Sequence, residues 1–447
     1  MTLIMKFGGS SVADAACMRQ AASLVEAALP KAPLVVLSAM GKTTNNLFEA
    51  ATCAERGDLI AALDILIRIR SHHEGTAREL CGGVPELADA FRELELLLRG
   101  VALLRELSPR SMDAIASFGE RLSTRIFAAF TGSAWLDART VLRTDARFGE
   151  AQPDAQAIRL LAQTHLQPLL GAGRAVVTQG YIGATREGLT TTLGRGGSDY
   201  SAALLGAAIT ATEVQIWTDV EGILSADPRL VPGALPIPEL GFAEAAELAA
   251  FGAKVLHPAT IQPAVDANIP VTVRHTGRPG GRFTTISGEV ATGRAVTALA
   301  SRGPVTILTV SSTRMLAQSG FLARLFEVFG RHGTSVDLVA TAEVSVSLTV
   351  EADAPIEALA RELSAFATVA VSEEREILAV VGERLKRTPG ICARIFSALR
   401  EINVEMISMG ANEINLSLVV RRPEADEALR RLHAALIEQP FPDGDAA

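Results

Sequence analysis

Short apolar runs alternate with segments of helical periodicity along the first 275 residues of the chain. The runs predict strands at residues 3–5, 34–37, 175–178, 214–217 and 271–274. Apolar residues recur at helical spacing over 13–29 and 154–170, and the stretch 46–130 is mostly helical in its pattern. Strands that alternate with helices predict an α/β fold whose largely parallel sheet is covered by helices on both faces.

A sequence repeat follows this region. Residues 320–326 (GFLARLF) match 390–396 (GICARIF), and at the same offset of 70 residues, 343–350 (EVSVSLTV) match 413–420 (EINLSLVV). Each copy reads as a strand, a loop that ends in glycine, an amphipathic helix, a strand, a turn and a strand. Because one offset preserves both a helix and a strand, the repeat predicts a tandem pair of small α+β domains. The breaker-rich loop at 276–282 (TGRPGGR) predicts the approach to the boundary before them.

Composition narrows the class of protein. The 447 residues, of which 48% are hydrophobic and 21% charged, are typical of a globular protein with two to four domains. The net charge of −8 and the 4% of aromatic residues argue against a nucleic-acid binder. Four cysteines without a C-x-x-C pair predict reduced thiols and a cytosolic protein. The start has no signal-peptide pattern, and no apolar run reaches the ~20 residues of a membrane helix.

Three glycine-rich loops stand next to predicted helices, at 6–11 (KFGGSS), 37–45 (LSAMGKTTN) and 193–199 (LGRGGSD). The GKT triplet of the second loop is not part of a P-loop, because Val36 stands where that motif requires glycine. Glycines at strand-to-helix junctions let backbone amides approach an anion. Together with the cations Lys6 and Arg195, the loops predict a phosphate site. A carboxylate acceptor would suit it, because an acceptor already ionised at pH 7 needs positioning and charge neutralisation but no general base.

Five motifs carry a family resemblance: KFGGSSV from Lys6, SFGERLS from Ser117, TLGRGGSDYSAALL from Thr192, WTDVEGILSADPR from Trp217 and FGAKVLHPAT from Phe251. In this order they resemble the aspartate kinases of the amino acid kinase family, and the repeat resembles the paired ACT domains of those enzymes. The resemblance implies a three-layer α/β/α kinase sandwich over 1–292, followed by ferredoxin-like ACT domains over 293–376 and 377–447. It leaves open whether the final residues complete the first ACT domain. It also implies that ATP, with Mg²⁺, phosphorylates L-aspartate to 4-phospho-L-aspartate, the entry to lysine, threonine and methionine synthesis.

The resemblance also implies the site residues. Lys6 is expected on the transferring phosphoryl group and Asp199 next to it, orienting that lysine and the metal–phosphate group. The expected substrate contacts are Ser38, Thr44, Glu120, Arg195 and Ser198, with Glu120 on the substrate ammonium and Arg195 on its α-carboxylate. The expected nucleotide contacts are Lys6, Gly8, Gly9, Thr218, Asp219, Leu224, Arg229 and Lys254. No metal ligand is expected from protein side chains.

Some positions depart from the family or have an ordinary alternative. Leu224 stands where a tyrosine is common, and Phe118 where a histidine is frequent. Asp199 also fits a helix cap, and Glu120 fits a solvated helix face. Lys42 of the GKT triplet is expected to be incidental.

The first repeat looks closest to the lysine-sensitive class of aspartate kinases. The expected effector residues are Met315, Gln318, Phe321, Leu322, Ser335, Val336, Asp337, Thr341, Glu343 and Val344. Asp337 and Glu343 are suited to hold the side-chain ammonium of lysine, which threonine lacks. Gln318 replaces the usual serine, so the identity of the effector stays open.

The ACT pair implies a homodimer, or a dimer of dimers, formed through these domains. Two other functions stay open: a kinase of another acidic amino acid, and a non-catalytic amino-acid sensor with a degenerate kinase lobe.

Overall fold

The computed structural model describes residues 2–84, 86–170, 174–252, 258–288, 290, 294–313, 315 and 319–439. The chain divides into two compact units. The first comprises Met1–Ile223, Pro238–Phe242 and Val255–Val290, and the second comprises Leu224–Ile237, Ala243–Lys254 and Ala291–Ala447. The predicted boundary at 292/293 lies outside the described residues.

The strands of the described residues are, in chain order, β1 (Leu3–Phe7), β2 (Leu34–Leu37), β3 (Ala134–Leu136), β4 (Val176–Gln179), β5 (Ile182–Ala184), β6 (Thr190–Thr192), β7 (Glu213–Thr218), β8 (Ile223–Leu224), β9 (Pro236–Ile237), β10 (Glu239–Gly241), β11 (Val271–His275), β12 (Thr284–Ser287), β13 (Ala298–Ser311), β14 (Val339–Thr341), β15 (Ser345–Glu351), β16 (Thr368–Val381), β17 (Met406–Met409) and β18 (Asn415–Arg421). The α-helices are α1 (Ala15–Ala28), α2 (Thr43–Glu55), α3 (Leu59–Cys81), α4 (Ala88–Leu104), α5 (Pro109–Ala116), α6 (Phe118–Thr131), α7 (Ala155–Leu161), α8 (Gln167–Leu170), α9 (Gly197–Ala208), α10 (Phe242–Ala250), α11 (Pro258–Asp266), α12 (Phe321–Arg331), α13 (Ile356–Leu363), α14 (Ile391–Ala398) and α15 (Arg422–His433).

The first unit is built on a largely parallel sheet. Across its described part, the strands lie in the order β10-β12-β11-β7-β1-β2-β4-β3. The pairs from β11 to β3 are all parallel, and β12 runs antiparallel to β11. Every residue of β1, β2 and β4 is buried, as expected for strands covered on both faces. The predicted α/β class is confirmed.

The predicted elements of this unit are present, with local differences. The helical stretch 154–170 is interrupted, because a π-helical turn over Ala162–Leu166 separates α7 from α8. The stretch 46–130 is mostly helical, as predicted, and lies within helices α2 to α6. The apolar faces of these helices share a core with β1 and β2. The breaker-rich loop 276–282 connects the antiparallel strands β11 and β12, so the first sheet continues beyond it.

The second unit contains the repeat as one antiparallel sheet, ordered β14-β15-β13-β16-β18-β17 within the described residues. The offset of 70 holds for whole elements, since β13 maps onto β16 and β15 onto β18. Each copy also ends in a helix, α13 or α15, that the sequence pattern did not predict. β16 crosses the expected 376/377 boundary and pairs with β13 and β18. The copies therefore share a sheet but keep separate apolar cores.

Candidate active site and effector residues

Lys6 and Asp199 form an ion pair at the carboxyl end of β1. Lys6 is the fourth residue of that strand, and its Nζ lies 2.6 Å from Asp199 Oδ1, with 10% and 14% of the two side chains exposed. Asp199 stands in the first turn of α9, where the partial positive charge of the helix N-terminus favours a carboxylate. The predicted proximity of the two residues is therefore present in the fold. In a parallel sheet, ligands bind beyond the carboxyl ends of the strands, which is where this pair lies.

The first and second glycine loops are joined backbone to backbone. The Gly41 amide donates to the Gly9 carbonyl at 3.0 Å, and the Gly8 amide donates to the Trp217 carbonyl at 3.2 Å. A Cβ on Gly9 would lie 3.0 Å from the carbonyl oxygen of Ala39. Glycine is needed there because a side chain would push the two loops apart.

Ser38 and Ser198 connect the second loop to the start of α9. The Ser38 hydroxyl donates to Ser198 Oγ at 3.0 Å, and the Ser38 amide donates to the Phe7 carbonyl at 3.1 Å. A Cβ on Gly180 would lie 2.7 Å from Ser198 Cβ, so β4 and α9 also meet closely at this point. Ser198 is adjacent to Asp199, and the contacts therefore continue to Lys6.

Glu120 is a buried acid with one oxygen unused. It lies in the first turn of α6 with 3% exposure, so the alternative of a solvated helix face is wrong. The Ala39 amide donates to Oε1 at 3.0 Å, and Oε2 is buried without a hydrogen-bond partner among the described residues. Burial raises the pKa of Glu120 to about 8, opposed by the Ala39 amide. A buried, partnerless carboxylate oxygen is suited to receive a ligand's ammonium group.

The other two expected substrate residues are Thr44 and Arg195. Thr44 is half-buried in the first turn of α2, and its Oγ1 lies 3.6 Å from the point that a Cβ on Gly119 would occupy. Arg195 is exposed in the third loop, between Gly194 and Gly196, whose φ angles are +74° and +70°. It makes no ion pair within the described part of the chain, so its guanidinium is available to a ligand.

The expected nucleotide residues are divided between the two units. Thr218 ends β7 and donates to Asp219 Oδ1 at 3.1 Å, next to the Trp217 carbonyl that holds the first glycine loop. Leu224 and Arg229 belong to the second unit, where the exposed Arg229 pairs with Asp227. Lys254 lies outside the described residues.

Two residues of this region were missed by sequence reasoning. Tyr181 follows β4 with φ +67°, rare for a tyrosine, and burial and the charge of Glu120 help to raise its pKa to about 12. Asp113 of α5 is buried and accepts three hydrogen bonds. The glycines that flank Tyr181 in the stretch GYIG (180–183) were the available signal for that residue. No feature of the sequence pattern distinguished Asp113.

The expected effector residues have different environments in the second unit. Phe321, Met315 and Val336 pack in the core of the first repeat. Leu322, Ser335, Thr341, Glu343 and Val344 are exposed. Val344 also lines a cavity of about 470 Å³ together with hydroxyl-bearing residues such as Ser311 and Thr313. Gln318 lies outside the described residues.

Asp337 is the most constrained of these residues. Its Oδ1 pairs with Arg302 Nη1 at 3.0 Å, while Oδ2 is buried without a hydrogen-bond partner in the described structure. Burial raises the pKa of Asp337, and the Arg302 charge opposes this shift. Arg302 also pairs with Glu351 at 2.6 Å. No recorded contact between described residues joins Asp337 to Glu343.

Two kinds of feature are absent from the described residues. No group of three or more His, Cys, Asp or Glu residues could hold a metal ion there. No helix among them is long and apolar enough to cross a membrane.

Comparisons with known proteins agree with this geometry. The sequence model of the amino acid kinase family matches residues 1–275, and that of the ACT domain matches 378–436. The lysine-sensitive aspartokinase 3 of Escherichia coli is 40% identical, over 98% of this chain and 99% of its own length. The chloroplastic aspartokinase 3 of Arabidopsis thaliana is 40% identical over 98% of this chain and 82% of its own. The chain therefore belongs to the amino acid kinase family, and within it to the aspartokinases.

Solved structures give the same result. Aspartokinase III of E. coli in complex with aspartate and ADP matches with a TM-score of 0.84 and 39% identity, covering 98% of this chain and all of that one. The same enzyme in complex with lysine and aspartate matches with a TM-score of 0.79 and 40% identity, covering 98% and 99%. The expected family and fold class are confirmed.

Proposed function

We propose that this protein transfers the γ-phosphoryl group of ATP to the side-chain carboxylate of L-aspartate, and that lysine inhibits it. The observation that carries the catalytic part is one continuous set of contacts. Glu120 accepts a hydrogen bond from the Ala39 amide. Ser38, which precedes Ala39, donates a hydrogen bond to Ser198. Asp199, which follows Ser198, forms an ion pair with Lys6. An acid suited to an ammonium group and a cation suited to a phosphoryl group thus stand at two ends of one site.

The reaction needs no general base. An oxygen of the ionised 4-carboxylate attacks the γ-phosphorus, the bond from that phosphorus to the β,γ-bridging oxygen breaks, and ADP leaves. Two anions must approach each other, and at an effective dielectric near 20 a pair of unit charges ~4 Å apart interacts by about 4 kcal/mol. Lys6 offsets part of this repulsion, and Asp199 holds the ammonium of Lys6 in place.

Substrate recognition follows from the charges of an α-amino acid. Glu120 Oε2 would receive the α-ammonium, and Arg195 would receive the α-carboxylate by two parallel hydrogen bonds. Ser38, Thr44 and Ser198 supply hydroxyls next to them. The distance from these groups to Lys6 would then select the length of the side chain, and so aspartate over glutamate.

The nucleotide would lie along the glycine loops. Gly8 supports this, since a Cβ on it would lie 3.6 Å from Lys6 Nζ, and the remaining nucleotide contacts stay predictions: Gly9, Thr218, Asp219, Leu224, Arg229 and Lys254. The residues present fit a magnesium ion bound mainly by phosphate oxygens, because Mg²⁺ usually takes one or two protein carboxylates and Asp199 offers one. When bound, the ion would neutralise phosphate charge.

Regulation by lysine is proposed for the first repeat. The partnerless Oδ2 of Asp337 would receive the side-chain ammonium of lysine. The E. coli relative is named as lysine-sensitive, and one of its structures contains lysine, which supports the choice of effector.

We also propose that the second unit forms a homodimer. Exposed apolar side chains on the edge strands β14 and β17 support this: Val339, Ile407 and Met409 are 37%, 46% and 40% exposed. A cytosolic location stays a prediction from the cysteine pattern.

The direct test is formation of an acyl phosphate, trapped as its hydroxamate. The purified protein is given Mg²⁺ and ATP with either aspartate or glutamate, with and without millimolar lysine or threonine. We expect product with aspartate only, suppressed by lysine and not by threonine. If product forms with glutamate alone, the acceptor is glutamate and not aspartate. If neither lysine nor threonine changes the amount of product, the regulatory proposal is wrong. No product with either acceptor would leave a non-catalytic sensor.

A further inference from the structure

Asp113 is a buried acid to which the proposed reaction gives no role. Only 2% of the residue is exposed, and it makes no ion pair with any described residue. Its charge is instead stabilised by three donors. Oδ2 accepts the amides of Gly149 at 3.0 Å and Thr192 at 2.9 Å, and Oδ1 accepts the Thr192 hydroxyl at 2.8 Å. Hydrogen bonds to a carboxylate are stronger than neutral ones, so this is a firm junction between α5 and two other segments.

The two segments form the base of the loop that carries Arg195. Thr192 ends β6, three residues before Arg195. Gly149 packs against the loop itself, because a Cβ on Gly194 would lie only 3.3 Å from the Gly149 carbonyl oxygen. The Gly197 amide then donates to the Gly194 carbonyl at 3.0 Å and closes the loop at the start of α9. Asp113 therefore holds the base of the loop from both sides.

The same acid is tied to Glu120 through the backbone. The Ser117 amide donates to the Asp113 carbonyl at 3.1 Å, and α6 begins at the next residue. Glu120 stands in the first turn of that helix. The helical segment 113–120 thus carries both Glu120 and Asp113, and the Asp113 side chain accepts hydrogen bonds from the base of the Arg195 loop.

We propose that Asp113 is a positioning residue that sets the separation between Glu120 and Arg195. These are the groups that would bind the α-ammonium and the α-carboxylate of the substrate, so the inference rests on the proposed function. Asp113 itself touches neither substrate nor nucleotide. Its loss should therefore weaken binding of the amino acid and leave binding of ATP unchanged.

The test variant is Asp113→Asn, which keeps the shape but removes the negative charge, so the amides of Gly149 and Thr192 lose charge-assisted hydrogen bonds and the Thr192 hydroxyl must accept instead of donate. We expect the KM for aspartate to rise by about tenfold, with the KM for ATP and kcat within about twofold. The control is Glu213→Gln, which weakens a hydrogen-bonded carboxylate at the amino end of β7, away from the loops. It should leave both KM values unchanged, and thermal melts of both variants show that they are folded.

A double-mutant cycle with Arg195→Ala distinguishes positioning from a general structural role. If Asp113 acts through Arg195, then Asp113→Asn lowers kcat/KM for aspartate by less than twofold once Arg195 is absent, against about tenfold in its presence. Equal rises in both KM values, or losses that multiply in the double variant, would overturn the inference. A folded Asp113→Asn with an unchanged KM for aspartate would overturn it as well. If the wild type makes no acyl phosphate, it is the proposed function that fails.

If Asp113→Asn does not fold, Thr192→Val offers the same test. It removes the hydroxyl donor to Oδ1 and leaves the two amides in place. The same split between the two KM values is expected, to a smaller extent, and its absence would count against Asp113.

Discussion

A single proton on Glu120 should control how well the site accepts its substrate. The ligand-free pKa of about 8 means that most molecules carry a neutral Glu120 at pH 7, whereas an ammonium ligand needs the ionised acid. We therefore expect the KM for aspartate to fall by about ninefold from pH 6 to pH 7 and by about fivefold from pH 7 to pH 8. Steady-state kinetics across that range measure it, with the KM for ATP as the internal control. A KM for aspartate that does not change with pH would contradict this assignment.

The same proton should affect stability. The folded pKa of Glu120 lies above its ordinary value of 4.5, so its stabilising contribution is complete below pH 4.5 and is lost as pH rises through 8. Without ligand, the free energy of unfolding of the wild type should fall relative to Glu120→Gln, by up to about 1.4 kcal/mol per pH unit. Urea titrations of both proteins at pH 5 and pH 8 give the difference. A constant difference would show that the acid is already ionised.

Two lysines of neighbouring loops provide a matched pair. Lys6 is nearly buried against Asp199, whereas Lys42 of the GKT triplet is exposed. Lys6→Ala should lower kcat by roughly 10²-fold or more, because a fixed charge next to the transferred group is lost. Lys42→Ala should change kcat by less than twofold. Similar rates for the two variants would remove Lys6 from the mechanism.

Residue types and spacing predicted much of this site, but not the environments of its residues. The glycine loops and their adjacent cations allowed Lys6 and Arg195 to be selected from the local pattern, whereas Asp199 was selected through the family resemblance. Burial of Glu120 depends on the packing of α6 against the Ala39 loop, which are far apart in sequence. The burial of Asp113 could not be predicted for the same reason, since a single aspartate in a helical segment is more often exposed to solvent.

At the scale of elements, α6 meets the second glycine loop at Gly119. A Cβ there would lie 2.6 Å from Ala39 Cβ, which is closer than real side chains approach. Gly119→Ala should destabilise the protein by about 1–3 kcal/mol and raise the KM for aspartate, because the Ala39 amide also holds Glu120. Chemical denaturation and kinetics measure the two effects.

Gly100 of α4 is the control for that substitution. Apart from the backbone of α4 itself, no atom of the described residues lies within 4 Å of the Cβ that alanine would add there. Gly100→Ala should therefore stabilise the protein by up to about 1 kcal/mol, since alanine is the better helix former. If Gly119→Ala is equally harmless, the contact between α6 and the loop is not tight.

Elements with strong local signals were the ones predicted from sequence. Runs such as those of β1 and β2 are buried on both faces, so they stand out as short apolar stretches. The terminal helices α13 and α15 were missed because the repeat was recognised from its first helix and a strand alone, although the offset of 70 also aligns EAL at 357–359 with EAL at 427–429. The break between α7 and α8 leaves the apolar spacing nearly intact, so periodicity does not reveal it.

At the scale of the whole chain, the pairing of strands was the least predictable feature. The offset of 70 located two copies, but it could not show that β13 and β16 pair along their length. Backbone hydrogen bonds make that pairing, and side-chain patterns specify a face rather than a neighbour. The shared sheet of the two copies was therefore not predicted.

The two copies also differ in charge, and this difference predicts how many effector molecules bind. Asp337 of the first copy corresponds to Ile407 of the second at the same offset, so one copy alone has the buried carboxylate. We expect calorimetry to find one lysine per chain. Two per chain would show that Asp337 is not required for binding.

Arg302 should set the affinity of that site, because it already neutralises the carboxylate that lysine would need. Asp337→Asn should raise the half-inhibitory lysine concentration by about tenfold or more, since a charged hydrogen bond is lost. Arg302→Met removes the competing cation, so lysine should inhibit at a lower concentration. Both variants should retain wild-type activity without lysine, as neither residue is expected to contact substrate or nucleotide. If both substitutions weaken inhibition equally, Arg302 supports the site instead of competing for it.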